Sequence, residues 1–120
     1  MRCASTTSDP LPHELNITIV SAGDGKSYPQ HGQAVSVHYD AFLADGSKWD
    51  SSRARGKPLR FKIGIGQVIR GLDEGVRLMS LNERVRLHVK SSWAYGSRGF
   101  PGRVPPNTDI IFDVQLVGLA

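Results

Sequence analysis

LRFKIGIGQVIRGLDEGVRLM, residues 59 to 79, changes its rhythm part-way along, and that change decides the fold. Leu59, Phe61, Ile63 and Ile65 alternate with Arg60 and Lys62, the period-two pattern of a strand with one wet face. From 68 to 79 the apolar residues Ile69, Leu72, Val76 and Met79 recur at spacings of three, four and three, which is one apolar stripe on a short helix. Gly71 and Gly75 lie inside that helix, and each costs it about 1 kcal/mol against alanine. Packing must therefore hold the helix, and the two glycines leave room for a strand to lie close.

On either side the period stays at two. Residues 15 to 21, LNITIVS, alternate and stop at the turn signal Ala22-Gly23-Asp24-Gly25. Residues 33 to 43 put Val35, Val37, Tyr39, Ala41 and Leu43 on one face; Asp45-Gly46 marks a turn, and DSSRARGKP after Trp49 reads as an irregular crossing. Residues 83 to 91 alternate Val85, Leu87 and Val89 against Arg84, Arg86, His88 and Lys90, and Ile110, Phe112, Val114 and Leu116 do the same near the end. Several amphipathic strands and one helix imply an α+β fold, with an antiparallel sheet burying one face on that helix. The stretch WAYGSRGFPGRVPPNT, 93 to 108, has no regular pattern; a connection of this length that carries aromatics reads as a binding loop, with WAYG closing the preceding strand.

At 120 residues there is room for one domain, burying roughly two-thirds of its unfolded surface. The hydrophobic fraction of 39% and charged fraction of 22% are those of a soluble domain, with no window of membrane-span length. Residues 1 to 14 read as a flexible tail without a secretory h-region, ahead of a domain at 15 to 120, so a cytoplasmic monomer is expected. Cys3 stands alone and forms no internal disulfide, and the Asn16-Ile17-Thr18 sequon is read as chance. The net charge of +4 is spread along the chain rather than clustered.

Most chemical motifs fail on spacing. GIGQVIRG follows a strand and opens a helix, but Ile69 stands where a dinucleotide fingerprint needs glycine, and no Gly-Lys-Ser/Thr makes it a P-loop. His13, His31, His38 and His88 lack metal-ligand spacing, so neither a metal nor a cofactor is expected. Pairing Cys3 with a histidine as a nucleophile would require the tail to be rigid. The Arg84, Arg86, His88 and Lys90 face carries no interleaved aromatic and reads as a solvated strand face rather than a nucleic-acid site. What remains is an excess of large apolar side chains, Tyr39, Trp49, Leu59, Phe61, Tyr95, Phe100 and Phe112, several of them in irregular segments. These favour a groove.

The runs VSVHYDAFLADGSKWDSSRARGKPLRFKIGIGQVIRGLDEGV and WAYGSRGFPGRVPPNTDIIFDVQL resemble the central and closing signatures of the FKBP-type peptidyl-prolyl cis-trans isomerases, which bind the macrolides tacrolimus and rapamycin. The likeness covers about residues 15 to 119 in continuous order. It implies a half-open antiparallel sheet of five to six strands wrapped around one short α-helix, with a proline-binding cleft between them. By similarity Tyr39, Phe61 and Phe112 form aromatic walls, Trp49 closes one side, Val68 and Ile69 stand at the helix start, and Leu72 is the floor. Asp50 and Arg55 match the polar pair beside the pocket. Tyr95 matches a tyrosine whose hydroxyl meets a ligand carbonyl, and the Ile69 amide offers a second donor. Phe100 and Val104 lie where the long loop overhangs the cleft.

Four positions depart from the family pattern: Leu72 stands where drug-binding members most often have tryptophan, Leu59 where many have phenylalanine, Phe100 where histidine is common, and Trp49 where phenylalanine is usual. The resemblance therefore implies retained isomerase activity on proline-containing peptides and proteins, with altered macrolide affinity. A drug-dependent phosphatase or kinase partner is a further expectation of the family. A proline- or macrolide-binding module without catalysis is the alternative.

Overall fold

Strand β2 (Ala34–Leu43) is the axis of the sheet, because it pairs along both of its edges. One edge carries β6 (Ile110–Leu119), antiparallel from Val35↔Leu119 to Leu43↔Ile110. The other is shared by two short strands, β3 (Lys48–Ser51) against Asp40–Phe42 and β4 (Leu59–Lys62) against Ala34–Val37. Beyond β6 lie β5 (Arg84–Val89) and, at the far edge, β1 (Leu15–Ser21). The computed structural model describes residues 13–119, and there the six strands form one antiparallel sheet. Residues 1 to 12 of the tail expected at 1 to 14, including Cys3, and residue 120 lie outside the described residues.

The alternation in the sequence becomes the core. Val35, Val37, Tyr39 and Ala41 of β2, Val85, Leu87 and Val89 of β5, and Ile110, Phe112, Val114 and Leu116 of β6 are all buried on one face. The main helix, which has only eight residues (Arg70–Arg77), covers that face with Leu72 and Val76. Both of its glycines are buried. A methyl group on Gly71 would collide with Val89 Cγ1 and fall 2.8 Å from Cγ2, and one on Gly75 would fall 2.6 Å from Leu87 Cδ1. The helix backbone thus lies directly on β5, at a distance only glycine permits.

Three local expectations change. Strand β4 stops at Lys62, and the chain turns through Gly64 and Gly66, whose φ values of +84° and +78° suit glycine. Ile63 is still fully buried, but Ile65 is 50% exposed and does not join the apolar face. The reason is the buried Asp73 carboxylate on the helix, which accepts the Gly64 N–H at 2.7 Å and the Gly66 N–H at 3.3 Å and bends the segment toward itself. Second, the crossing after Trp49 is ordered: Trp49 and Asp50 belong to β3, and Ser52–Arg55 form a single helical turn, α1, with the Arg70–Arg77 helix as α2. Ser51 Oγ accepts the Ala54 N–H at 3.1 Å and Gly56 closes the turn at φ +67°. Third, β5 ends at Val89, so WAYG begins within a 3₁₀ turn at Ser91–Trp93 instead of closing a strand.

On the outer face, the arginines of β5 and Lys90, just past its end, meet carboxylates of a neighbouring strand and loop. Arg84 Nε donates to Asp113 at 2.8 Å, Arg86 approaches the same carboxylate at 3.9 Å, and Lys90 lies 3.4 Å from Asp109.

Alanine at position 71 should gain about 1 kcal/mol of helix propensity but overpack against Val89, whose branched side chain has little rotamer freedom to yield. Gly71→Ala is expected to lower stability by about 1–2 kcal/mol in urea unfolding. A more stable variant would contradict the close helix–strand contact.

Candidate active site

The site begins with a misfit in the ladder. Ala41 pairs with Asp50 and Phe42 with Lys48, so Trp49 is an extra residue on β3, a β-bulge. Consecutive residues of a regular strand point to opposite faces, whereas a bulge re-aims one of them. Trp49 and Asp50 accordingly both face one cavity of about 310 Å³ between α2 and the sheet. Tyr39 of β2, Leu59 of β4, Phe112 of β6, Leu72 of α2, the approach residues Gln67, Val68 and Ile69, and Tyr95 of the long loop complete its lining.

The rings are locked against one another. Tyr39 and Phe112 meet edge to face at 5.8 Å, as do Trp49 and Tyr95, while Tyr95 stacks on Phe100 at 5.4 Å. Trp49 also meets Phe100 edge to face at 6.1 Å, so three rings from two separate segments form one cluster. The loop behind them is tightly folded. Phe100 and Val104 exchange two backbone hydrogen bonds of 2.8 Å, and the Asn107 amide reaches back to the Gly96 carbonyl at 2.8 Å. Gly99, at φ +67°, lies so close to the Val104 carbonyl and Pro105 that no Cβ fits.

One polar cluster stands among these apolar walls. Tyr39 Oη donates to Asp50 at 2.5 Å, and Arg55 bonds Asp50 and, at 3.2 Å, Tyr39 Oη. Arg103 adds a second cation 3.7 Å from Asp50. Three donors on the lining residues have no partner among the described residues: the Tyr95 hydroxyl, the Ile69 amide and the Trp49 Nε1, which is buried from solvent. The Ile69 backbone is extended (φ −58°, ψ 151°), and its residue caps the α2 N-terminus, where the first helical amides also lack intrahelical acceptors.

Tyr39, Trp49, Asp50, Leu59, Val68, Ile69, Leu72, Tyr95 and Phe112 thus come together as lining. Phe61 is not among the lining residues; it is buried in the core. Arg55 touches the site through Asp50 and Tyr39. Phe100 is 41% exposed and stacks on Tyr95, and Val104, in the same loop, is buried. Two participants escape sequence reading, Gln67 and Arg103. Gln67 lies in a turn whose only visible signal is its glycines, and Arg103 is one of two arginines in the loop.

A family model for the FKBP-type peptidyl-prolyl cis-trans isomerases matches residues 25–117. This chain belongs to that family. It is 54% identical over 107 residues to FK506-binding protein 1 of Yarrowia lipolytica, covering 88% of this chain and 99% of the relative. It is 50% identical over 103 residues to the peptidyl-prolyl cis-trans isomerase Fkbp12 of Drosophila melanogaster, covering 86% and 95%. Its identity to FK506-binding protein 1 of Saccharomyces cerevisiae is 44% over 110 residues, covering 92% and 96%.

In this family member the polar cluster is fastened from behind. Ser52, fully buried, accepts the Tyr39 N–H at 2.7 Å and lies 3.0 Å from His38 Nδ1. It holds the start of α1 against β2 at the residue whose hydroxyl meets Asp50. Burial pushes the Asp50 carboxyl up, but hydrogen bonds from Tyr39, Arg55 and the Ser51 amide outweigh it and hold the group below the ordinary carboxylate range. Burial likewise raises the Tyr39 phenol, with the bond to Asp50 adding to the shift, and burial raises Tyr95. Asp50 is therefore an anion and both tyrosines are neutral at neutral pH.

A carboxyl whose folded-state value is depressed contributes stability that is complete above its unfolded value, about 3.9 for aspartate, and is lost as pH falls through the folded value. Asp50→Asn should cost about 1–2 kcal/mol at pH 7, the scale of a charge-assisted hydrogen bond. The gap between the two proteins should stay constant down to about pH 4.5 and shrink below about 3.9, as read by urea unfolding across pH. A gap that persists unchanged at pH 2 would contradict the ion pair.

Proposed function

We propose that this chain accelerates rotation about X-Pro peptide bonds in peptides and proteins, and that the same cleft binds the macrolides tacrolimus and rapamycin. The observation that supports the reading is a ring-walled apolar cavity whose lining residues include Tyr95, with its unpartnered hydroxyl, and Ile69, with its unpartnered amide, and whose one carboxylate is committed to structural hydrogen bonds.

Such a site suits a reaction in which no covalent bond and no proton moves. Rotation must break amide resonance, at a barrier of roughly 18 to 20 kcal/mol, and proceeds over tens to hundreds of seconds unaided. In the twisted transition state the carbonyl loses amide polarity, so water stabilises it less than the planar ground state. A cleft that strips water from the bond and fits the twisted form better than either planar isomer lowers the barrier by differential binding. About 6 kcal/mol would give roughly four orders of magnitude in rate.

In this reading the proline ring lies over Leu72 between Tyr39 and Phe112, with Trp49 and Val68 closing the sides. The Tyr95 hydroxyl and the Ile69 amide hold substrate carbonyls. Asp50 acts through Tyr39 and Arg55, keeping the Tyr39 ring in the wall. Leu72 presents less surface beneath a bound ring than tryptophan does, which weakens the grip on a macrolide more than on a small substrate.

Three variants test the assignment in a protease-coupled assay on an X-Pro peptide. Asp50→Val should lower kcat/KM by about tenfold or more, the loss of a charge-assisted network. Tyr95→Phe should cost less, about threefold to tenfold, for one neutral hydrogen bond. Leu72→Trp should tighten tacrolimus by roughly tenfold through added apolar contact, measured as inhibition of the same assay. No acceleration by micromolar wild-type protein would sink the enzyme reading in favour of a binding module.

A further inference from the structure

Leu59 has two sides. One faces the aromatic cleft, and the other borders a second, open cavity of about 430 Å³ lined by Arg55, Lys57, Pro58, Leu59 and Arg60. The two spaces share Leu59 as their wall, so a peptide seated in the first can reach the second. At 3.3–3.6 Å per extended residue, the second cavity lies within about one to three residues of the bound proline.

The charge around this cavity is unbalanced. Every carboxylate on this side already holds cations: Asp40 takes Arg53 and Lys48, and Asp50 takes Arg55 and Arg103. Lys57 and Arg60 are exposed and have no ion-pair partner among the described residues. They project from an ordered segment. The Gly56 and Lys57 amides bond back to Arg53 and Ser52 at 3.1 and 3.2 Å, Pro58 fixes the backbone, and Arg60 belongs to β4.

We propose that Lys57 and Arg60 form an anion subsite for the substrate itself, so that the isomerase favours X-Pro bonds with an acidic side chain, carboxylate or phosphate, within about three residues of the proline. The inference rests on the proline-binding reading of the adjoining cleft. Because both cations are solvated, the preference is one of rate and modest affinity, and it is screened by salt.

The test uses the full chain and matched X-Pro peptides carrying Glu, phosphoserine or Gln two residues before or two residues after proline. For at least one placement, kcat/KM for the Glu peptide should exceed that for the Gln peptide by about threefold at low salt, with a larger ratio for phosphoserine. The ratio should fall toward one at 0.5 M NaCl, where screening is short-ranged. Lys57→Ala/Arg60→Ala should abolish the preference while leaving the Gln peptides unaffected, and Lys57→Glu/Arg60→Glu should reverse it. A ratio of one at both placements in the wild type overturns the proposal, as does a preference that survives in the double alanine variant and so belongs to the general positive field. The Gln peptides measure the underlying activity independently. If none is turned over, calorimetric titration of the same peptides reads the Glu-to-Gln ratio as binding, separating failure of the subsite from failure of the isomerase reading.

Discussion

The depth of the cleft depends on how closely α2 can lie on β5. Gly71 and Gly75 bring the helix backbone against Val89 and Leu87, and the same turn carries Leu72 toward the cavity and Ile69 to its mouth. A helix held farther away by two methyl groups would raise Leu72 from the floor and separate the unpartnered helix-start amides from the ring wall. The propensity cost of the glycines, about 1 kcal/mol each, is small beside the burial they permit. Asp73 works in the same direction from the other side of the helix, drawing the preceding turn inward through the Gly64 and Gly66 amides.

Within that geometry, polar groups serve the apolar ones. The Tyr39–Asp50–Arg55 cluster would look like catalytic machinery in a hydrolase, yet Asp50 is held as an anion by its neighbours and has no proton to give at neutral pH. Its bonds fix the Tyr39 ring, and Ser52 fixes the Tyr39 main chain. Rigidity of this kind matters when the barrier is lowered by fit and desolvation, because a wall that yields to the planar isomer loses its selectivity for the twisted one.

Much of this was legible in the sequence, for identifiable reasons. Period two at Val35–Ala41, Val85–Val89 and Ile110–Leu116 marks strands because each has one buried face, and the shift at Ile69 marks the helix. Pattern fails where tertiary contacts override it. Ile65 continues the alternation on paper but is exposed, because Asp73, eight residues on, bends the chain before it. Trp49 and Asp50 face one cavity only because of a bulge, which has no local signature. The family resemblance pointed to Asp50, Tyr95 and Ile69 as candidates, which no periodicity would single out and which line the cavity, and it also named Phe61, which is buried in the core and is not among the lining residues. Gln67 and Arg103 carried neither signal.

The interruption between β3 and β4 has a consequence outside the cleft. An edge strand with a long unbroken row of free amides and carbonyls is a template for pairing with another chain. Here the outer border of the sheet beside β2 consists of two four-residue strands separated by a helical turn and a proline, with a bulge in the first. Neither piece offers enough ladder to recruit a neighbour. The irregularity that turns Trp49 toward the cleft also keeps this border of the sheet from acting as a seam for self-association.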